Sequence, residues 1–169
     1  AVARAMGASP FEVLATAAVR DASNGPAFVA QLQARMPGVP IRILTGLEEA
    51  DYAAEGMLCG IPDADGLLAD IGGGSLELVQ LDQGRRGPSH TLRLGVIRLA
   101  ERSGGDLTRA REIAEQDLAT VPWLGAAAGR DLYLVGGAWR ALARMHMMQK
   151  GYPLHLVHHY VIGREEARS

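Results

Sequence analysis

Apolar positions come in short runs punctuated by glycine, proline and capping residues, the pattern of strands alternating with helices. Residues 13–19 form an apolar run of strand length that ends at Arg20 and Asp21. Asn24 is placed to cap a helix, with Pro26 just inside it and Phe28, Val29, Leu32 and Met36 on one face. Gly38 and Pro40 stop that helix, and residues 39–44 read as a second strand. A strand, helix, strand unit of this kind is expected to pair in parallel.

Thr45-Gly46-Leu47-Glu48 has the form of a capping box, with Thr45 as N-cap and Glu48 reaching back from the third helical position. The helix runs to about Leu58 and is slim along Ala50, Ala53 and Ala54. Glu48 therefore has a structural task and Glu49, on the same first turn, has none. A surface glutamate favoured by the helix dipole and an acid with chemistry to perform both fit that position. Residues 60–66, Gly-Ile-Pro-Asp-Ala-Asp-Gly, form the clearest linker in the chain and the expected domain boundary.

Leu67-Leu68-Ala69 then leads into Asp70-Ile71-Gly72-Gly73-Gly74-Ser75, and residues 76–81 lead out, which predicts a β-hairpin with a bare backbone tip. Successive N–H groups at such a tip can converge on a phosphate oxygen, and Ser75 adds a hydroxyl donor. The glycines could equally serve only to supply positive φ. Asp70 and Glu77 face the loop mouth from opposite strands. Carboxylates beside a phosphate repel it unless a hard cation such as Mg²⁺ lies between them. A turn over residues 82–88, a third antiparallel strand over 89–94 and a short helix over 96–102 follow. Asp106 or Thr108 caps a longer helix whose Ala110, Ile113, Ala114, Asp117, Leu118 and Val121 track one face. Leu132-Tyr133-Leu134-Val135 is a strand, and Gly136-Gly137 turns from it into a helix reaching about Gln149. That turn is a second place where free N–H groups could hold an anion or where glycine serves close packing alone.

Composition narrows the function classes. The chain has 169 residues, 48% hydrophobic and 21% charged, with a net charge of −2, which gives no global attraction for nucleic acid or an anionic membrane surface. Its single cysteine, Cys59, excludes an internal disulfide, fits a reducing cytoplasm and is expected to be a small buried hydrophobe. Of 17 basic residues only Lys150 is a lysine; arginine is the better fork for phosphate. No apolar run reaches membrane-spanning length. His155, His158 and His159 lack the partners of a metal set and read as part of a packed aromatic tail, with Met145, Met147 and Met148 as core filler. The missing initiator methionine and the charged last residues lead us to expect a fragment.

Ala15-Thr16-Ala17-Ala18-Val19-Arg20-Asp21-Ala22, Thr45-Gly46-Leu47-Glu48-Glu49-Ala50, Asp70-Ile71-Gly72-Gly73-Gly74-Ser75-Leu76-Glu77, Leu94-Gly95-Val96-Ile97-Arg98-Leu99 and Val135-Gly136-Gly137-Ala138-Trp139-Arg140-Ala141-Leu142-Ala143 occur in one order and spacing. In that register the chain resembles the exopolyphosphatase and guanosine pentaphosphate phosphohydrolase (Ppx/GppA) family. The resemblance implies an α/β fold of two ribonuclease-H-like lobes, mixed sheets flanked by helices, within the actin-like superfamily of sugar kinases and heat-shock ATPases. It places residues 1–60 in the later part of an incomplete first lobe and 61–169 in most of the second.

The activity implied is hydrolysis of the terminal phosphoanhydride of inorganic polyphosphate or guanosine pentaphosphate. By the resemblance Glu49 assists the attacking water, Asp70 and Glu77 hold Mg²⁺, and Gly72, Gly73, Gly74, Ser75, Gly136, Gly137 and Arg20 bind phosphate. Arg98 fits a structural role equally well. The family's opening Asp-x-Gly-Ser-Asn-Ser phosphate loop would precede Ala1, so catalysis by these 169 residues alone is not expected. The parent protein is expected to be a cytoplasmic homodimer. An ATP-dependent kinase of the same superfamily and a non-catalytic phosphate or alarmone sensor are the competing readings.

Overall fold

The computed structural model describes residues 2–168. After a short helix α1 (Val2–Ala5), strands β1 (Val13–Ala15) and β2 (Ile41–Ile43) pair in parallel, Val13 opposite Ile41, around helices α2 (Ala17–Arg20) and α3 (Gly25–Arg35). The apolar run thus divides: only its first three residues are strand, and Ala17 onward turns helical, because a short apolar run satisfies either geometry. Asn24 stands at the N-cap of α3, but its side chain makes no capping bond, and Phe28 is exposed.

Helix α4 (Gly46–Gly60) opens with the capping box the sequence predicts. The Thr45 hydroxyl accepts from the Glu48 N–H at 3.2 Å, and the Glu48 carboxylate accepts from the Thr45 N–H at 2.8 Å. Cys59 is exposed near its end rather than buried, since the helix spends its inward face on Ala50 and Ala54.

A four-stranded sheet in the order β5-β4-β3-β6 carries the larger core. Its members are β3 (Gly66–Ile71), β4 (Leu76–Asp82), β5 (Arg85–Leu92) and β6 (Asp131–Val135). β6 lies parallel to β3, and the other pairs are antiparallel. Helix α4 covers one face over Leu68, Val79 and Leu81. Helices α5 (Val96–Ser103) and α6 (Leu107–Ala119) lie toward the other, where Leu99, Ile113, Ala114 and Leu118 pack on Leu76, Leu78 and Leu92. Strands covered on both sides read as near-continuous apolar runs, as β3 and β4 do. Helix α4, which precedes the boundary expected at residues 60–66, packs on this sheet.

The expected turn over residues 82–88 shrinks to Gln83 and Gly84, both with positive φ, and β5 starts at Arg85. Pro88 is tolerated within β5 because the strand lies at the sheet edge. Asp106 caps α6 by accepting from the Arg109 N–H, and the face running from Ala110 to Val121 is the inward one. Helix α7 (Gly137–Gln149) is the last α-helix among the described residues. Of its methionines only Met147 is buried; Met145 and Met148 are exposed, as are Leu154 and Leu156 in the tail. That tail is therefore less packed than expected, although Tyr160 meets His146 Nδ1 at 2.7 Å and Tyr152 edge-on.

Candidate active site

One row across the sheet organises the cleft. Thr91, Glu77, Asp70 and Val135 are successive register partners on β5, β4, β3 and β6. Residues of alternate parity point to opposite faces, so Asp70 and Glu77 lie on the face that α4 covers, with Leu68 and Val79. Gly46, at the start of α4, sits against the Thr91 side chain, which a Cβ at position 46 would approach to 2.4 Å. That contact brings the first turn of α4, with Glu49, down to the strand ends.

The loop from Gly72 to Ser75 joins β3 to β4. None of its three glycines takes a positive φ, so glycine is not there to permit the turn. It is there for space: a Cβ on Gly73 would lie 3.1 Å from Ile97, and one on Gly74 would lie 3.2 Å from Ala17. The loop carbonyls are engaged from outside. Gly72 O accepts from the Val96 N–H, and Gly73 O accepts from Ile97 and Arg98, all at the start of α5. Gly95 allows this approach, since a Cβ there would fall 2.3 Å from the Gly73 carbonyl carbon. Among the described residues the N–H groups of Gly73 and Gly74 donate to no backbone carbonyl. With its oxygens held by α5, the loop keeps its donors for something else.

Gly136 is the second close approach. Its φ of +118° and its position 2.3 Å, as a Cβ, from the Ile71 carbonyl oxygen leave room for glycine alone. The same Cβ would be 3.3 Å from Asp70 Oδ1, so the turn into α7 abuts this carboxylate. Gly137 is the first residue of α7.

Thr16, Ala17, Ala18, Asp21, Glu49, Asp70, Gly72, Gly73, Gly74, Ser75, Glu77, Ile97 and Arg98 line one cleft of about 610 Å³ between α2 and the sheet. Glu49, Asp70, Glu77 and the glycine loop therefore meet. Arg20 is close by without lining this space: its Nη1 donates to Glu49 Oε1 and, at 2.8 Å, to the Leu44 carbonyl. Glu49 Oε2 has no partner among the described residues.

Burial is the dominant electrostatic influence on the two strand acids. It raises the Asp70 carboxyl above its ordinary range, against the opposing pull of Arg140. It raises Glu77 to about 7, against hydrogen bonds from Ser75 and Thr91, and nearby Glu49 and Asp70 push it further. Sequence reasoning assigned no role to Thr91 or Arg140. Thr91 was findable only through the strand register; Arg140 lies one helical turn after Gly136-Gly137.

Among the described residues no group of three or more His, Cys, Asp or Glu side chains is placed to hold a metal ion. Two crowded carboxylates beside a loop with free backbone donors nevertheless suit Mg²⁺, which keeps several waters and takes one or two carboxylates together with substrate phosphate. No helix among the described residues is long and apolar enough to cross a membrane.

Comparison with known proteins identifies relatives of the chain. Exopolyphosphatase 2 of Mycobacterium tuberculosis is 35% identical over 96 residues, covering 53% of this chain and 30% of that protein. The crystal structure of an exopolyphosphatase from Cytophaga hutchinsonii superposes with a TM-score of 0.78 at 19% identity, over 90% of this chain and 52% of that one. The Aquifex aeolicus PPX-GPPA enzyme gives a TM-score of 0.66 at 22% identity, over 89% and 52%. The chain spans about half the length of these solved relatives and three-tenths of the curated one. The model of the Ppx/GppA phosphatase family matches residues 2–169. The chain, an α/β fold, belongs to the Ppx/GppA phosphatase family.

Proposed function

We propose that this chain carries the water-activating carboxylate and a phosphate-binding loop of a hydrolase that removes the terminal phosphate of inorganic polyphosphate. The observation that carries the reading is the convergence of Glu49, Asp70, Glu77 and the Gly72–Ser75 loop on one cleft. Glu49 orients the attacking water and takes its proton through the unpartnered Oε2, while Arg20 fixes the other oxygen. The N–H groups of Gly73 and Gly74 hold phosphate oxygens, the Ser75 hydroxyl donates to Glu77 beside them, and the Gly136-Gly137 turn closes the site behind Asp70. When bound at Asp70 and Glu77, Mg²⁺ would neutralise charge on the phosphoanhydride. Phosphoryl transfer needs little covalent help from a protein, so alignment and charge stabilisation by these groups supply most of the acceleration.

Guanosine pentaphosphate presents the same terminal anhydride and is a second substrate on this reading. The Glu48-Glu49 start of α4 ahead of Asp70 favours a hydrolase over a kinase, because it gives the attacking water a carboxylate to accept its proton. Phosphate release by the full-length protein from polyphosphate, guanosine pentaphosphate and ATP, each with and without Mg²⁺, tests the proposal. Mg²⁺-dependent release from polyphosphate is expected; binding without release would point to a sensor, and activity confined to ATP would point to a kinase.

A further inference from the structure

The cleft poses an electrostatic difficulty for a polyanion. Five of its lining residues are carboxylic acids, Asp21, Glu49, Asp70, Glu77 and Glu101, and Arg98 is the one cationic residue among them. Arg20 is turned onto Glu49 and the Leu44 carbonyl, with its Nε 3.6 Å from Asp21. The guanidinium of Arg98 is held at two points: Nε donates to the Gly74 carbonyl at 2.8 Å, and Nη2 donates to Asp21 Oδ2 at 2.5 Å. A guanidinium has five N–H donors, so three remain. The Arg98 side chain is only 21% exposed, and it stands over the loop whose Gly73 and Gly74 N–H groups donate to no backbone carbonyl among the described residues.

We propose that Arg98 is a substrate-anchoring residue, held ready by Asp21 and the Gly74 carbonyl so that its free donors receive a phosphoryl group of the bound anhydride. The inference rests on the phosphoanhydride reading of the site. Two bonds to fixed partners remove most of the side chain's freedom before the ligand arrives, which lessens the ordering that binding requires. Asp21 is a positioning residue in this scheme: it touches no substrate and acts through Arg98. An arginine whose only task was to brace the glycine loop would not have to face the cleft.

The experiment measures polyphosphate hydrolysis and the thermal shift produced by tripolyphosphate in the full-length protein, for wild type, Arg98→Gln and Asp21→Asn. Arg98→Gln is expected to raise KM at least about tenfold while kcat falls less than about threefold, and to lose most of the thermal shift. Asp21→Asn is expected to raise KM by a smaller factor, because the Gly74 bond remains. If Arg98→Gln does not fold, Arg98→Lys is read in its place; it keeps the charge and loses the fork, and an intermediate KM is expected. Wild-type turnover with an unchanged KM in a folded Arg98 variant overturns this inference and leaves the hydrolase reading standing. A wild type that binds tripolyphosphate without hydrolysing polyphosphate, with binding lost in Arg98→Gln, does the reverse. Absence of both binding and turnover in the wild type overturns both.

Discussion

Replacing Glu77 with glutamine is expected to flatten a loss of stability that the wild-type protein undergoes between about pH 4.5 and pH 7. Glu77 is 3% exposed, and burial is the main reason its carboxyl rises from 4.5 to about 7. An acid with a raised folded-state pKa keeps its proton longer in the folded than in the unfolded chain. Between the two values the folded state binds more protons, so stability falls as pH rises, and the loss is complete above about 7. A gap of roughly 2.5 pH units at about 1.4 kcal/mol each gives a total of about 3 kcal/mol. Glutamine keeps the shape, can still accept the Thr91 hydroxyl, and has no charge to bury. Urea unfolding of the full-length protein in EDTA, at about pH 4.5 and about pH 8, should therefore show the wild type losing about 2–3 kcal/mol more than the variant. Excess Mg²⁺ at the higher pH should restore the wild type and leave the variant unmoved. Parallel pH profiles in EDTA would refute the argument, because they would mean that the folded state carries the Glu77 charge at no cost.

Glu49→Gln should lower kcat for phosphate release by about a hundredfold or more and leave tripolyphosphate binding nearly unchanged; comparable turnover would remove Glu49 from its role. Thr45→Ala should destabilise the protein by about 1 kcal/mol in urea unfolding, since it deletes the Thr45 side of the capping box. Gly95→Ala should displace the Gly72–Ser75 loop or destabilise the fold by about 1–3 kcal/mol, because its methyl would occupy the Gly73 backbone; amide chemical shifts of Gly73 and Gly74 report the displacement.

What could be read from the chain is what depends on near neighbours. The capping box, the α6 face and the Asp70 hairpin all arise within a few residues of one another and form as their spacing predicts. The break after Ala15 was illegible because an alanine-rich run has no periodicity to separate strand from helix. The early start of β5 was hidden by Gly87 and Pro88, which punctuate most strands and are harmless at an edge. In the site, the acids and glycines were legible as residue types, while their partners were not. Arg20 meets Glu49 across 29 positions of sequence, Arg98 meets Asp21 across 77, and no local pattern carries such separations. The glycine loop shows the limit most clearly: its need for space comes from Ile97 and Ala17, which only the fold brings to it.

The seating of Gly46 on Thr91 makes one threonine a gauge for the whole cleft. Its methyl and hydroxyl set how low a fifteen-residue rod can rest on the strands, and the same hydroxyl donates to Glu77 at 3.0 Å. The spacing between Glu49 on that rod and Glu77 on the sheet is thus governed by a missing methyl group three residues upstream of Glu49. Alanine at position 46 would work as a wedge, lifting Glu49 away from Asp70 and Glu77 without altering any of the three carboxylates.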